Sequence, residues 1–250
     1  MIGAGRVATS LAIALHSVGH RIRQVYSRTE QSAKTLADRL SVSYTTSIDD
    51  LVQGADVYII SLTDTALSQL APQIVQVCGD ALIVHTAGSL NMDILSCARR
   101  GVLYPMQTFS LERVVDFQQV PVFIEASTPA DLQLLRSISE SISSSVYTLS
   151  SDDRQRLHIA AVFCCNFTNH CYSIADSLLS QMGVPFSVML PLIDETAQKV
   201  HFMAPRVGQT GPAVRGDKVV TNRHQEMLKD NPDWQRIYEI MSRDIEKETL

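Results

Sequence analysis

Apolar positions keep two rhythms along the first 150 residues. Short apolar runs read as strands at Ile22–Tyr26, Ser41–Thr45, Ala55–Leu62, Ala81–His85, Val102–Tyr104, Pro121–Ala126 and Val146–Leu149. Between them the 3.6-residue period marks helices. Val7, Leu11, Ala14, Leu15 and Val18 form one face, closed by Gly19, and Glu30–Leu40, Thr65–Val77 and Ala130–Ile142 follow. Ser47-x-x-Asp50 reads as the capping box of a further short helix, and Asp64 as the cap of the helix after it. The run "ADVYIISL" is apolar almost throughout, as in a parallel strand buried on both faces. Strands alternating with helices predict βαβ units and a doubly wound, mostly parallel Rossmann-type sheet of about six to eight strands.

The rhythm changes at Ser150. Ser150-x-x-Asp153 is a capping box, and helical residues then run without Pro or Gly to Met182. Such a helix is about thirty residues and ~45 Å long, the spine of an all-α domain rather than one element of a small core. Gly183-Val184-Pro185 ends it. A second helix over Phe186–Phe202 and a final hairpin, Asp217–Leu228 and Pro232–Lys247, complete the expected all-α domain. The division expected is 1–149 for the Rossmann-type domain and 150–250 for the helical one.

The first eight residues carry the chemistry of the sheet. Gly3, Gly5 and Ala8 spell G-x-G-x-x-A with Arg6 and Val7 between them, a phosphate-binding turn at a helix N-terminus. Only Met1 and Ile2 precede it. The first strand is nearly missing, and the reading expects a natural N-terminal segment to be absent or the chain to start late. At the end of the second strand stand Ser27, Arg28 and Thr29, with no Asp or Glu for an adenosine 2′-hydroxyl. A guanidinium flanked by hydroxyls suits a 2′-phosphate, so NADP is expected over NAD, although an exposed Arg in a turn reads the same way. In a sheet of this kind ligands lie outside the carboxyl ends of the strands. That adds Leu62, Thr63 and Asp64, then Thr86, Ala87 and Gly88, to the expected cofactor contacts, with Ser89 and Gln107 towards substrate.

Composition narrows the classes. The 250 residues are 45% apolar with a net charge of −5, enough for a core and contrary to a nucleic-acid binder. No apolar run has the ~18 residues of a membrane span, and no signal peptide is expected. The five cysteines lack C-x-x-C spacing and read as free thiols in a reducing cytoplasm. No His/Cys spacing suits a metal.

Three further features carry alternatives. His85 closes a buried strand and reads as a structural histidine. On the long helix His158, Asn166 and Asn169 form a polar face, with His158 and Asn169 nearly eclipsed at 100° per residue. It is either a hydrogen-bonded seam between helices or the wall of a cleft between the domains. In "GQTGPAVRGD", Thr210 and Gly211 precede a helix and can offer a hydroxyl and backbone N–H groups to an anion. Arg215 can hold a carboxylate there or stand solvated.

Taken together, "GAGRVA", "VYSRT", "VHTAGS", "YPMQTFS", "LHIAAVFCCNFTNH" and "TGPAVRGD" resemble a bacterial family without an assigned reaction. It pairs an N-terminal Rossmann-like NADP-oxidoreductase domain with a C-terminal helical domain of unknown function. The chain is more distantly similar to pyrroline-5-carboxylate reductase, deazaflavin-dependent NADP oxidoreductase and the β-hydroxyacid dehydrogenases, many of which dimerise through a long helix. The resemblance implies a homodimer. It does not carry over a catalytic lysine, because Val162 stands where the β-hydroxyacid dehydrogenases have one, four residues before Asn166. The Thr210-Gly211-Pro212 turn matches only the start of the reductases' substrate turn, and Ala213, Val214 and Arg215 replace the rest.

The expected function is hydride transfer between NADP(H) and a small polar carbonyl, imine or alcohol. His158, Asn166, Asn169 and Thr210 are the candidate catalytic residues, and Ser89, Gln107, Gly211 and Arg215 the substrate contacts. The competing expectation is a non-catalytic NADP-binding sensor or partner protein.

Overall fold

A computed structural model describes residues 1–110, 113 and 115–249. The chain divides into two compact units, 1–166 and 167–250.

The first unit is built on one mixed sheet. In chain order its strands are β1 (Gln24–Tyr26), β2 (Ser43–Thr45), β3 (Val57–Ile60), β4 (Leu82–His85), β5 (Arg100–Pro105), β6 (Val122–Ala126) and β7 (Val146–Thr148). Ile2 bridges Tyr26 on one side and Ile60 on the other, in parallel on both. The spatial order is therefore β2–β1–Ile2–β3–β4–β5–β6–β7, with only the β5–β6 pair antiparallel. The nearly missing first strand thus exists as a stub. Its amide and carbonyl are both used, Ile2 N–H donating to Ile59 at 2.8 Å and Ser61 N–H to Ile2 at 2.7 Å.

Helices α1 (Arg6–Ser17), α2 (Glu30–Leu40), α3 (Asp64–Cys78) and α4 (Pro129–Glu140) cover the sheet. Strand alternation sends Ile59, Val84 and Leu103 into a core with Leu11 and Leu15 of α1 and Leu135 of α4. It sends Tyr58, Ile60 and Ile83 into another with Leu67, Ala71 and Ile74 of α3. The sheet is doubly wound, as its near-continuous apolar runs require.

Two local expectations are corrected. No helix forms after Ser47. Thr45 Oγ1 instead accepts from Ser47 N–H at 3.1 Å, and the Gln24 carboxamide pins the next loop by bonding Asp50 O and Val52 N–H. Asp64 does not cap α3. Thr63 is the cap, its side chain accepting from Ala66 N–H, and Asp64 opens the helix.

The long helix begins as expected, with Ser150 Oγ accepting from Asp153 N–H at 3.2 Å. It runs as α5 (Ser151–Ala161), a π-helical stretch Val162–Phe167 and α6 (Thr168–Ser180). The π turn winds more slowly than the 100° per residue of an α-helix. α5 belongs to the first unit, and a polar network ties it to the sheet. Glu125 on β6 accepts from Ser151 N–H at 2.9 Å, from Ser151 Oγ at 2.7 Å and from the Arg154 guanidinium at 2.5 Å.

The second unit continues from α6 through α7 (Leu190–Phe202), α8 (Pro205–Gly208), α9 (Lys218–Met227) and α10 (Pro232–Thr249). α9 and α10 form the expected hairpin, joined by His224 Nδ1 and the Tyr238 hydroxyl at 2.9 Å. Among the described residues of this unit only Leu179 and Thr221 are buried. No helix among the described residues is long and apolar enough to cross a membrane.

Candidate functional site

The glycine turn has the geometry of a phosphate cradle. Gly3 adopts φ +116°, and a Cβ there would overlap the Ser61 carbonyl oxygen. Only glycine lets the turn press against the end of β3. Gly5 has no protein atom within 4 Å of where a Cβ would stand, leaving that space open to a ligand. Gly5 also caps α1 without a side-chain hydrogen bond, and no acid stands in the first turn. The N–H groups of Arg6, Val7 and Ala8 therefore keep their donors, and the helix dipole adds positive potential. Ala8 is fully buried, so the helix packs close to the sheet as the motif requires.

The other expected cofactor residues gather at the same strand ends. Leu62 packs on Gly3, its Cδ2 standing 3.5 Å from that same Cβ position. Thr86 Oγ1 donates to Ser61 Oγ at 3.1 Å, joining the ends of β3 and β4. Ser89 Oγ donates to the Asp64 carboxylate across the same two loops. Arg28 and Thr29 are exposed after β1, and Thr29 Oγ1 donates to Ser32 at 2.8 Å. The nearest acid in sequence, Glu30, is occupied by the Tyr44 hydroxyl at 3.0 Å. Ser27 N–H donates to Thr45, so its backbone serves the β1–β2 edge. An open glycine cradle, a free helix N-terminus and an exposed guanidinium on the neighbouring strand fit a dinucleotide bearing a 2′-phosphate.

His158 stands on the turn after β4. A Cβ on Gly88 would lie 2.7 Å from His158 Nδ1 and 2.9 Å from Tyr104 Cζ. The Tyr104 hydroxyl is 3.2 Å from Nδ1, and the two rings meet edge to face with centroids 6.1 Å apart. The side chain therefore touches the loop after β4 and the end of β5, where this fold holds ligands. Burial pushes the Tyr104 phenol above its ordinary value, with the Arg154 charge opposing. Tyr104 is the member that sequence reasoning missed. Its signal was a phenol at the end of an apolar strand, directly before Pro105.

The other expected residues have their own surroundings. Asn166 is exposed in the π stretch. Asn169 lines a cavity of about 250 Å³ with Tyr172, Ser173, Asp176 and Phe186, all within the second unit. Gln107 is exposed and spends its side-chain oxygen on Thr108 N–H at 2.8 Å. Thr210 and Arg215 are exposed. The Thr210-Gly211 turn does not open a helix, because α9 starts at Lys218 and Asp217 caps it. His85 is fully buried. Its Nδ1 accepts from Ala87 N–H at 3.2 Å, which makes it a structural histidine shaping the turn. Among the described residues no group of three or more His, Cys, Asp or Glu could hold a metal ion.

Comparison with known proteins agrees with this geometry. Residues 1–88 match the family model "NADP oxidoreductase coenzyme F420-dependent", and residues 120–245 match the domain of unknown function DUF2520. A Bacteroides fragilis protein provisionally named an NADP oxidoreductase is 50% identical, with a TM-score of 0.94 over 98% of this chain and 96% of that one. An imine reductase of Myxococcus stipitatus in complex with NADP+ shares the fold at 14% identity and TM-score 0.68, over 98% of this chain and 92% of that one. A pyrroline-5-carboxylate reductase of Coxiella burnetii shares it at 14% identity and TM-score 0.59, over 99% and 96%. No curated protein matches the chain. Half the chain falls under one family model, and a half-identical relative spans nearly all of it. The protein belongs to the family that joins an NADP-oxidoreductase domain to DUF2520, a family of NADP-dependent oxidoreductases.

Proposed function

We propose that the protein transfers a hydride between NADP(H) and a small polar carbonyl, imine or alcohol, with His158 moving the accompanying proton. The observation that carries this reading is the seat of His158 on Gly88, beside Tyr104, at the carboxyl ends of β4 and β5. When bound, NADP(H) supplies or accepts the hydride. The chain's own groups do the rest. The glycine turn and α1 hold the pyrophosphate, and Arg28 with Ser27 and Thr29 holds the 2′-phosphate. Among the described residues His158 Nε2 has no hydrogen-bond partner, leaving it free to donate to a carbonyl oxygen or imine nitrogen, or to accept from an alcohol. In this reading residues 1–149 bind the cofactor and 150–250 serve substrate and assembly. The test is NADPH oxidation against a panel of 2-oxo acids, β-keto acids and cyclic imines. Turnover of one member supports the reading, and binding of NADPH without any turnover favours a sensor.

The same reading includes a homodimer. The second unit buries almost nothing of its own, while Met182, Leu192, Phe202, Val207 and Met227 stand more than half exposed in the folded chain. A helical unit of that size needs a larger core to be stable. A second copy of the chain supplies it, covering the apolar faces around a two-fold axis. Light scattering at micromolar concentration reads the mass directly, and a monomer contradicts this part.

A further inference from the structure

We propose that Tyr104 is a positioning residue for His158. Its hydroxyl donates to Nδ1 and so keeps the ring proton on Nε2, the nitrogen without a partner among the described residues. The proposal rests on the proton-transfer reading of His158 and deepens it.

The ring of Tyr104 is held on two sides. Phe123 lies tilted against it with centroids 6.3 Å apart, and the Gly88 backbone closes on its Cζ edge. The hydroxyl is thereby aimed at Nδ1 over 3.2 Å. A neutral imidazole carries one proton, and the nitrogen that accepts a hydrogen bond is the one without it. At neutral pH the phenol keeps its proton, since burial pushes its titration upward. The phenol thus has a proton to give, and in the proposed arrangement Tyr104 donates it and Nδ1 accepts. The helix bearing His158 is anchored one turn earlier by Arg154, which is buried and paired with Glu125. Tyr104 from β5 is the titratable group that meets the imidazole, Arg154 on its own helix is paired with Glu125, and the turn after β4 presents Gly88, whose neighbour Ser89 holds the Asp64 carboxylate. A fixed tautomer matters because a general acid delivers its proton only from the nitrogen that faces the substrate.

The experiment uses the full chain labelled with ¹⁵N-histidine and reads the tautomer by long-range ¹H–¹⁵N spectra, above the pH at which the ring protonates. His158→Gln identifies the resonance. The wild type is expected to show the Nε2–H tautomer. Tyr104→Phe keeps the ring and its packing and is expected to give a mixture of tautomers. With it, kcat falls about 2- to 10-fold, the weight of one neutral hydrogen bond, at unchanged NADPH affinity. An Nδ1–H tautomer in the wild type, or an unchanged tautomer in Tyr104→Phe, overturns the proposal whatever the turnover. Full turnover by His158→Gln overturns the underlying reading of His158, and Tyr104's part in turnover falls with it. Because the spectra report the fold of each variant, a misfolded protein is not mistaken for a lost hydrogen bond.

Discussion

The imidazole of His158 rests on the backbone of Gly88, so close that a single added methyl group would meet Nδ1 at 2.7 Å. The contact joins a helix near the middle of the chain to the turn after the fourth strand. It has a direct consequence. Gly88→Ala is expected to push the imidazole and the Tyr104 ring off the turn while leaving the glycine cradle at Gly3 and Gly5 intact. Turnover at saturating NADPH should fall by at least about tenfold, since a small displacement of a catalytic group is costly. Unchanged turnover would show that nothing at this turn depends on the contact.

Arg154 holds that arrangement from behind. Its side chain is 1% exposed, and it pairs with Glu125 at 2.5 Å while also donating to the Leu90 carbonyl. Removing one partner of a buried pair leaves the other charge uncompensated, at a cost of about 3–5 kcal/mol. Arg154→Met is expected to lower unfolding stability by that order in urea. Glu125→Gln keeps an acceptor for Ser151 N–H and should cost less. A loss below ~1 kcal/mol for Arg154→Met would mean that α5 is held by its other contacts.

His85 gives the fold a pH dependence. Burial first, and the Arg154 charge second, lower its pKa from 6.5 to about 4. Between those values the unfolded chain binds a proton that the folded chain refuses. The contribution is therefore fully present above pH 6.5 and is lost as pH falls towards 4, at up to ~1.4 kcal/mol per pH unit. His85→Asn, which keeps an acceptor for Ala87 N–H, should flatten that part of the profile. Urea midpoints at about pH 7 and about pH 4.5 for both proteins make the comparison, and parallel profiles would remove His85 as the cause.

Cofactor choice is expected to rest on Arg28. With Glu30 engaged by Tyr44, the exposed guanidinium is the group suited to a 2′-phosphate. Arg28→Ala should weaken NADPH by about 1.5–3 kcal/mol, as for a charge-assisted hydrogen bond, and leave NADH nearly unchanged. Equal losses for the two nucleotides by calorimetry would place the 2′-phosphate elsewhere.

What the sequence makes legible is the local and the periodic. Helix α2 is legible to both ends, because its apolar face and its flanking residues agree. The glycine turn is legible residue by residue, because each small residue has a steric reason visible in the spacing. Strand ends are not. The apolar run Ala55–Leu62 continues past the four residues, Val57–Ile60, that pair in register with β4, since burial extends beyond the ladder. The short helix expected after Ser47 fails because its signal is local, while the side chain that decides the loop, Gln24, lies on another strand. Tyr104 escapes for the same reason. Its meaning comes from a partner 54 residues away, and no period along the chain announces it. The π turn is equally silent. Glu125 looks like one polar residue in a strand, although it accepts three of the bonds that seat α5.

The central claim is that His158 moves the proton during hydride transfer, and the most direct measurement compares His158→Gln with the wild type. Single-turnover oxidation of NADPH is followed with the best substrate of the panel, beside NADPH affinity and melting temperature. The account predicts a rate lower by about 10²–10⁴-fold, with cofactor affinity and melting temperature nearly unchanged. A variant that turns over at the wild-type rate, or one that loses stability and cofactor binding together, would contradict it.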